Sequence, residues 1–459
     1  MTASIFSSDF KPRPFWWEAY EPRPLPEIAL PGSARVVIMG AGYAGLNAAL
    51  ELHREGIDCI VLDANEPGYG GSSRNGGMVS GGVNVGKRYM AKALSDEEAA
   101  PFLTDAADAF GFIEDLIASH AIDCGWTRAG YFLGAWCKSH YDTMAHKADL
   151  LNQTAGSESY LVPPERQREE IGSDYYRGGL VVGRAGHLHP ALFFKGLLDL
   201  CEARNIPIAS RTPATRLTET PGGWRVDTPR GSIHAGDVLI ATNGYTGALG
   251  YFRDALFPLH SHVLATAALT VEQRQQLGWH GLAGFADDLD RISYASMTDG
   301  GHLVFGGGSN QAYSYLFNNR TRYPGGTSAR AQASLQETLR RHFPGGAELP
   351  IVRRWVGTLG MTFDRRPLIG VRGERRNIYY ALGYSGHGVT LANLAGEILC
   401  DLYAGDDCRW RGLPFVQGRY TRIPPEPLRW AGYQLVTRLT GRSPRLHQPS
   451  GGSAQIKKW

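Results

Sequence analysis

Three glycine-rich segments and a handful of histidines and tyrosines hold most of the chemistry this sequence can offer. The first segment is Gly40-x-Gly42-x-x-Gly45, with Tyr43 and Ala44 inside it. It lies between the apolar run Val36-Val37-Ile38-Met39 and a helical pattern through Leu46, Ala49, Leu50 and Leu52. Gly40 permits a tight turn, Gly42 lets backbone approach a pyrophosphate, and Gly45 lets the helix pack on the strand. The helix N-terminus then offers free N–H groups and positive dipole character to phosphate. A second apolar run, Cys59-Ile60-Val61-Leu62, ends in Asp63 and Ala64, where a carboxylate can accept bonds from ribose hydroxyls. Strand, glycines, helix, strand and acid in this order predict a dinucleotide site.

That motif alone serves NAD or FAD, and Asp63 rather than glutamate leans towards NAD. The other two segments favour FAD, which lies extended and needs backbone along its whole length. One is Gly70-Gly71-Ser72-Ser73-Arg74-Asn75-Gly76-Gly77. The other is Gly383-Tyr384-Ser385-Gly386-His387-Gly388-Val389-Thr390, between the apolar run Ile378 to Leu382 and a helical pattern reaching Leu402. A helix start there would favour the negative charge that builds on a reduced flavin ring.

A hydride donor must sit within roughly 3–3.5 Å of its acceptor. An amine donor must also be neutral, which a partly apolar pocket promotes by desolvation. His260 and His262, two apart on a strand-like run, would point the same way and could take the amine proton. His387, among glycines, and Tyr294 are the other catalytic candidates. Tyr245, Trp355 and Tyr384 could line the cavity, while Arg291, Arg353, Arg354, Arg365 and Arg366 could hold an acidic substrate tail.

The elements needed to position these groups fit within 459 residues. The chain is 43% hydrophobic and 20% charged, an ordinary globular balance. A net charge of +3 argues against nucleic acid as a partner. Six cysteines without CxxC spacing predict neither a metal site nor a redox pair. With no signal-like leader and no membrane-length apolar run, a cytoplasmic location is expected and membrane association is not. Nothing in the sequence sets an oligomeric state.

The expected fold is a discontinuous α/β, Rossmann-type FAD-binding domain over 33–91, 181–250 and 360–410. An α+β substrate domain with an antiparallel sheet covers 92–180, read as mainly helical, and 251–359. Residues 1–32 form a Pro- and Trp-rich arm, and 411–459 a C-terminal extension. A helix over 427–441 carries Leu428, Ala431, Leu435, Val436 and Leu439 on one side, the side expected to pack on the FAD domain.

With these segments in view, the sequence resembles the FAD-dependent D-amino-acid-oxidase-type superfamily, which includes glycine and sarcosine oxidases, and within it the γ-glutamylputrescine oxidoreductase-like branch. The resemblance rests on Phe15-Trp16-Trp17, Val36 to Asp63, Ser72 to Gly77, Gly186-His187-Leu188-His189-Pro190, Ala241-Thr242-Asn243-Gly244-Tyr245, Leu303 to Gly308, Asp364 to Gly370 and Gly383 to Thr390. These segments occur in family order over roughly 15–405. The resemblance implies that FAD binds with Thr242, Asn243 and Gly360 also beside it. It further implies oxidation of a substrate C–N bond by hydride transfer to flavin N5, giving an imine that hydrolyses to a carbonyl. Oxygen or another acceptor would then take the electrons. No cysteine lies in Trp355 to Gly360, so the FAD is expected to be non-covalent. Val304 stands where some relatives carry a lysine that promotes reaction with oxygen. Thr390 replaces a carboxylate-binding lysine, which favours an extended amine over a small amino acid. The alternatives are an NAD-dependent Rossmann dehydrogenase, or a flavoprotein used for electron transfer or binding.

Overall fold

The computed structural model describes residues 6–439 apart from 81–94, 280, 283, 289–290, 324–326, 347–348, 406–408 and 414. Residues 81–91 of the first expected FAD-domain block and Cys408 therefore lie outside the described residues.

Two sheets organise the chain. In the eight-stranded sheet, Ser33–Met39 runs parallel to Cys59–Leu62 on one side and to Gly231–Ile240 on the other. Gly231–Ile240 also pairs in parallel with Ile378–Leu382. Val36 to Met39 and Cys59 to Leu62 are buried throughout, as a parallel sheet covered on both faces requires. Helices Tyr43–Arg54 and Gly388–Ala404 cross over it in close contact. The Asn47 side-chain amide donates to Asn393 Oδ1 at 2.7 Å, and a Cβ on Gly396 would meet the Ala48 backbone nitrogen at 2.6 Å. The two glycine-rich turns that precede these helices are thereby held at one end of one sheet.

The ten-stranded sheet is mostly antiparallel. Its path runs Phe6–Lys11, Ile351–Thr362, Leu256–Ala268, His302–Gly307, Ser293–Met297, Gly284–Asp287, Tyr131–Gly134, Gly179–Val182 and Tyr160–Val162, with Tyr313–Ser314 on Leu256–Ala268. The hairpin across Asp299-Gly300 forms as its turn residues predict. The 92–180 stretch is less helical than expected. Helices Asp96–Ser119 and Lys138–Ala155 are present, but Tyr131–Gly134, Tyr160–Val162 and Gly179–Val182 are strands. Three or four residues are too few to show strand alternation; these strands exist because the larger sheet extends onto them.

The N-terminal arm is part of the fold. Phe6–Lys11 adds an edge strand beside Ile351–Thr362. Trp16 is buried, its indole donating to the Asn75 carbonyl at 2.8 Å, and the Trp17 indole donates to Ser73 Oγ at 2.9 Å. The C-terminal helix, Leu428–Leu439, corrects the expectation for it. It packs through Arg429, Tyr433 and Thr437, while Leu428, Leu435 and Val436 face outward. Arg429 wins the inner face because three acceptors await it: Asn319 Oδ1 at 3.0 Å, the Pro424 carbonyl at 2.9 Å, and the Arg253 carbonyl. Among the described residues no helix is long and apolar enough to cross a membrane.

Candidate active site

A cavity of about 1630 Å³ runs from the turn at Gly40 to the wall of the large sheet. That exceeds the roughly 300–1,000 Å³ of one small-molecule pocket, leaving room for a dinucleotide and a second ligand.

Its first wall is the strand–turn–helix unit. Gly40 has φ +104°, and Gly42 caps the helix in extended conformation without a side chain. A Cβ on Gly42 would meet only Ser72 Oγ, at 3.0 Å, whereas one on Gly45 would stand 1.9 Å from the Gly40 carbonyl oxygen. Gly42 thus lines the cavity, and Gly45 lets the helix sit on its own turn without lining it. The Asp63 carboxylate accepts from the Ala41 N–H at 2.8 Å and the Asn65 N–H at 2.9 Å. Burial raises its pKa to about 6 against the pull of those two bonds. Ala64 lines the cavity beside it.

From the second segment Gly71, Ser72, Arg74, Asn75 and Gly76 line the cavity. Ser72 Oγ accepts from the Tyr43 N–H at 3.0 Å and so ties this loop to the first turn. Ser73 and Gly77 turn inward instead: Ser73 Oγ donates to the Gly68 carbonyl at 2.8 Å, and the Gly77 N–H donates to Asn75 Oδ1 at 2.9 Å. The Arg74 guanidinium lies over the rings of Trp17 and Tyr69, at 4.5 and 4.1 Å.

From the third segment Tyr384, Gly386, His387, Gly388 and Val389 line the cavity, with His387 as an N-cap whose side chain makes no cap hydrogen bond. Thr242 and Asn243 face them from the end of a neighbouring strand. Gly383 and Gly360 stand behind this wall, where they seat Asn243: Gly383 N–H donates to its Oδ1 at 3.0 Å, and a Cβ on Gly360 would come within 2.3 Å of that oxygen. Thr390 also points away, its hydroxyl donating to the Ser80 carbonyl at 3.1 Å.

The opposite wall belongs to the large sheet. Along Leu256–Ala268 the cavity takes Leu259, Ser261 and Val263. His260 and His262 therefore share a face, but the other one. His260 Nε2 lies 2.9 Å from the Arg320 carbonyl, His262 Nδ1 lies 3.0 Å from Thr327 Oγ1, and both rings meet the edge of Tyr323. Burial lowers both pKa values, that of His262 to about 4, so they are neutral side chains that hold Arg320, Tyr323 and Thr327 in place. Tyr294 does line the cavity, its hydroxyl 3.3 Å from Ser261 Oγ, and burial raises its pKa to about 12. Tyr245 joins it, whereas Trp355 is buried with its indole donating to the Arg74 carbonyl at 2.9 Å. Arg353 is spent on Glu18 at 2.8 Å and Arg366 on Asp364 at 2.7 Å. Arg291 and Arg365 reach the cavity.

Tyr131, Lys147, Asp288, Tyr313, Arg322 and Tyr323 also line it, unanticipated from the sequence. Tyr131 and Asp288 reach the same cavity from opposite ends of the pairing between Tyr131–Gly134 and Gly284–Asp287, which sets Tyr131 beside Gly284 and Gly134 beside Asp287, a long-range pairing that no local motif announces. The Lys147 side chain is open to the cavity yet surrounded by protein, which holds its pKa below the usual lysine range, with nearby Asp288 opposing.

Three backbone-rich turns, a groove at Gly42 that a side chain would narrow, and a buried acid at the end of the second strand fit an extended dinucleotide cofactor. These features define the class: a protein built to hold an extended dinucleotide cofactor. Comparison with known proteins gives the family. Residues 35–402 match the model of the FAD dependent oxidoreductase (DAO) family, and the chain belongs to it. It is therefore an enzyme that uses FAD, of an amine- and amino-acid-oxidising family. It is 28% identical over 413 residues to γ-glutamylputrescine oxidoreductase of Escherichia coli strain K12, covering 88% of this chain and 93% of that protein. It is also 28% identical over 383 residues to the probable oxidoreductase OrdL of Haemophilus influenzae, covering 82% and 84%. Among solved structures, glycine oxidase from Geobacillus kaustophilus superposes with a TM-score of 0.70 at 18% identity, over 85% of this chain and 100% of that one.

Proposed function

We propose that this enzyme oxidises the C–N bond of an extended primary or secondary amine, leaving an imine that water converts to a carbonyl product. The observation that carries this reading is the position of Thr390. At the start of the third turn's helix its hydroxyl donates to the Ser80 carbonyl, so Thr390 itself offers no charge to grip a small amino acid's carboxylate. The adjoining cavity is long and walled by Tyr131, Tyr294, Tyr313 and Tyr323.

Bound non-covalently, FAD supplies the hydride acceptor. Gly40 to Ala44, the Asp63 carboxylate, the Gly71 to Gly76 loop, Thr242, Asn243 and Gly386 to Val389 would hold it. The helix start at Gly388 favours negative charge on the flavin ring. The eight-stranded sheet with its helices acts as the cofactor domain, and the large sheet closes the substrate chamber. Aromatic walls accept an aliphatic chain and a passing cation. They also desolvate the amine, which lowers its pKa and enriches the neutral form. Tyr294, protonated up to about pH 12, orients the nitrogen as a hydrogen-bond donor and is not a base at neutral pH. His387, at the cap beside the ring site, is the remaining candidate for moving a proton. Electrons leave to oxygen or another acceptor.

Anaerobic mixing of the flavin-loaded enzyme with a panel of long amines, sarcosine, glycine and D-alanine tests this reading. The amines should bleach the flavin with the highest efficiency. A higher efficiency for sarcosine or D-alanine than for every amine would overturn the substrate class and leave the flavin assignment standing.

A further inference from the structure

Lys147 lines the cavity, yet oxidation of the amine assigns it no task. It lies on the helix Lys138–Ala155 one turn before Leu151, which lines the cavity too, as residues four apart on a helix share a face. That helix packs on Tyr160–Val162 and Gly179–Val182, the last strands on the path of the large sheet. The third glycine-rich turn meets the same sheet elsewhere: the Ser385 N–H donates to the Gly360 carbonyl at 3.1 Å. Four strands separate Ile351–Thr362, which carries Gly360, from Tyr131–Gly134, the neighbour of Gly179–Val182. Lys147 and the start of the third turn therefore stand towards opposite ends of the sheet.

The wall on this side is apolar. Leu133, Leu151 and Val182 belong to one buried cluster with Tyr131 and Ala286 packed against it, and all five line the cavity. Among the described residues the Lys147 ammonium has no hydrogen-bond or ion-pair partner. Asp288 acts on it through charge, but that carboxylate is already engaged, accepting from the Trp136 N–H at 3.1 Å and pairing with His140. Asp287 is engaged as well, by the Tyr176 hydroxyl at 3.2 Å and the Ser293 N–H at 3.0 Å. Burial lowers the pKa of Lys147 in spite of Asp288, so the charge is left undercompensated, a cost that a ligand's anion would remove. A cation beside an apolar passage is the complement of a carboxylate on an aliphatic chain. The second ammonium of a diamine would meet repulsion there.

We infer that Lys147 binds a carboxylate at the far end of the substrate's chain, which makes ω-amino carboxylates the preferred class of amine. This rests on the amine reading and sharpens it. The test is anaerobic mixing of the flavin-loaded enzyme with ω-amino carboxylates and n-alkylamines matched in chain length. At the best length the carboxylate should reduce the flavin with about tenfold higher efficiency or more, the gain lying in Kd and not in the limiting rate. In Lys147→Met, which keeps an unbranched stem and drops the charge, that preference should shrink to about threefold or less. Lys147→Arg should keep most of it. Calorimetric titration with n-alkanoates, which have no amine to oxidise, gives a second readout: they should bind the parent about tenfold or more tightly than Lys147→Met. The inference is overturned if alkylamines match the carboxylates in the parent, if Lys147→Met keeps the preference, or if alkanoates bind both proteins alike or neither. Flavin that no amine bleaches would sink the amine reading, and the alkanoate titration would still decide the anion site.

Discussion

Replacing Gly42 with valine separates binding from folding more cleanly than any other change in the first turn. The backbone there is extended, with φ −95°, so a side chain meets no conformational barrier. Within 4 Å the new Cβ would find only Ser72 Oγ, a hydroxyl that can swing aside. Moving it breaks the 3.0 Å bond from the Tyr43 N–H, a loss of about 1 kcal/mol. Exchanging glycine for valine at the helix cap adds about as much. Folding therefore survives. The pyrophosphate does not fare as well, because the branched side chain fills the approach to the helix N-terminus. Two charge-assisted hydrogen bonds lost at about 1.5–3 kcal/mol each amount to roughly 3–6 kcal/mol, or a 10²- to 10⁴-fold weaker Kd. Fluorescence titration of FAD into the flavin-free protein measures the affinity, and thermal unfolding measures the fold. A variant that folds and binds FAD within about threefold of the parent Kd would refute the placement of the phosphates.

Four further outcomes are expected. Gly45→Ala should fail to fold or unfold at far lower temperature, since its Cβ would stand 1.9 Å from the Gly40 carbonyl oxygen; calorimetry checks this. FAD affinity should fall as pH drops below about 6, because protonating Asp63 removes an acceptor for ribose hydroxyls. Asp63→Asn should bind roughly tenfold or more weakly at pH 8 and lose that pH dependence in FAD titrations across the range. Acid precipitation should release the flavin into the supernatant, and flavin left on the washed pellet would disprove non-covalent attachment. His262→Ala should lower the unfolding temperature, through loss of the ring packed on Tyr323 at 4.7 Å, yet leave the pH profile of flavin reduction unchanged.

The cofactor side of the site was legible in the sequence because it is built from local motifs. The first and third glycine-rich turns each lie between a buried strand and a helix start, and their side-by-side placement follows from parallel pairing. The substrate side was not legible in the same way. The two-residue period correctly put His260 and His262 on one face of a strand, but parity alone does not say which face the cavity takes. The pairing of Leu256–Ala268 with its neighbours gives the cavity Ser261 and Val263 instead. Tyr131 reaches the cavity from a strand too short to show a pattern, and Lys147 from the helix Lys138–Ala155, which long-range packing brings there. The C-terminal helix was legible as amphipathic, but its orientation was set by acceptors for Arg429 that lie far away in sequence.

Removal of a hydride from the carbon beside the substrate nitrogen is the central step of the proposed reaction. The direct measurement is anaerobic flavin reduction, at saturating concentration, by an extended amine bearing deuterium or hydrogen at that carbon. Reduction should proceed severalfold more slowly with deuterium. Equal rates with the two isotopologues, or no bleaching by any amine, would contradict the reading.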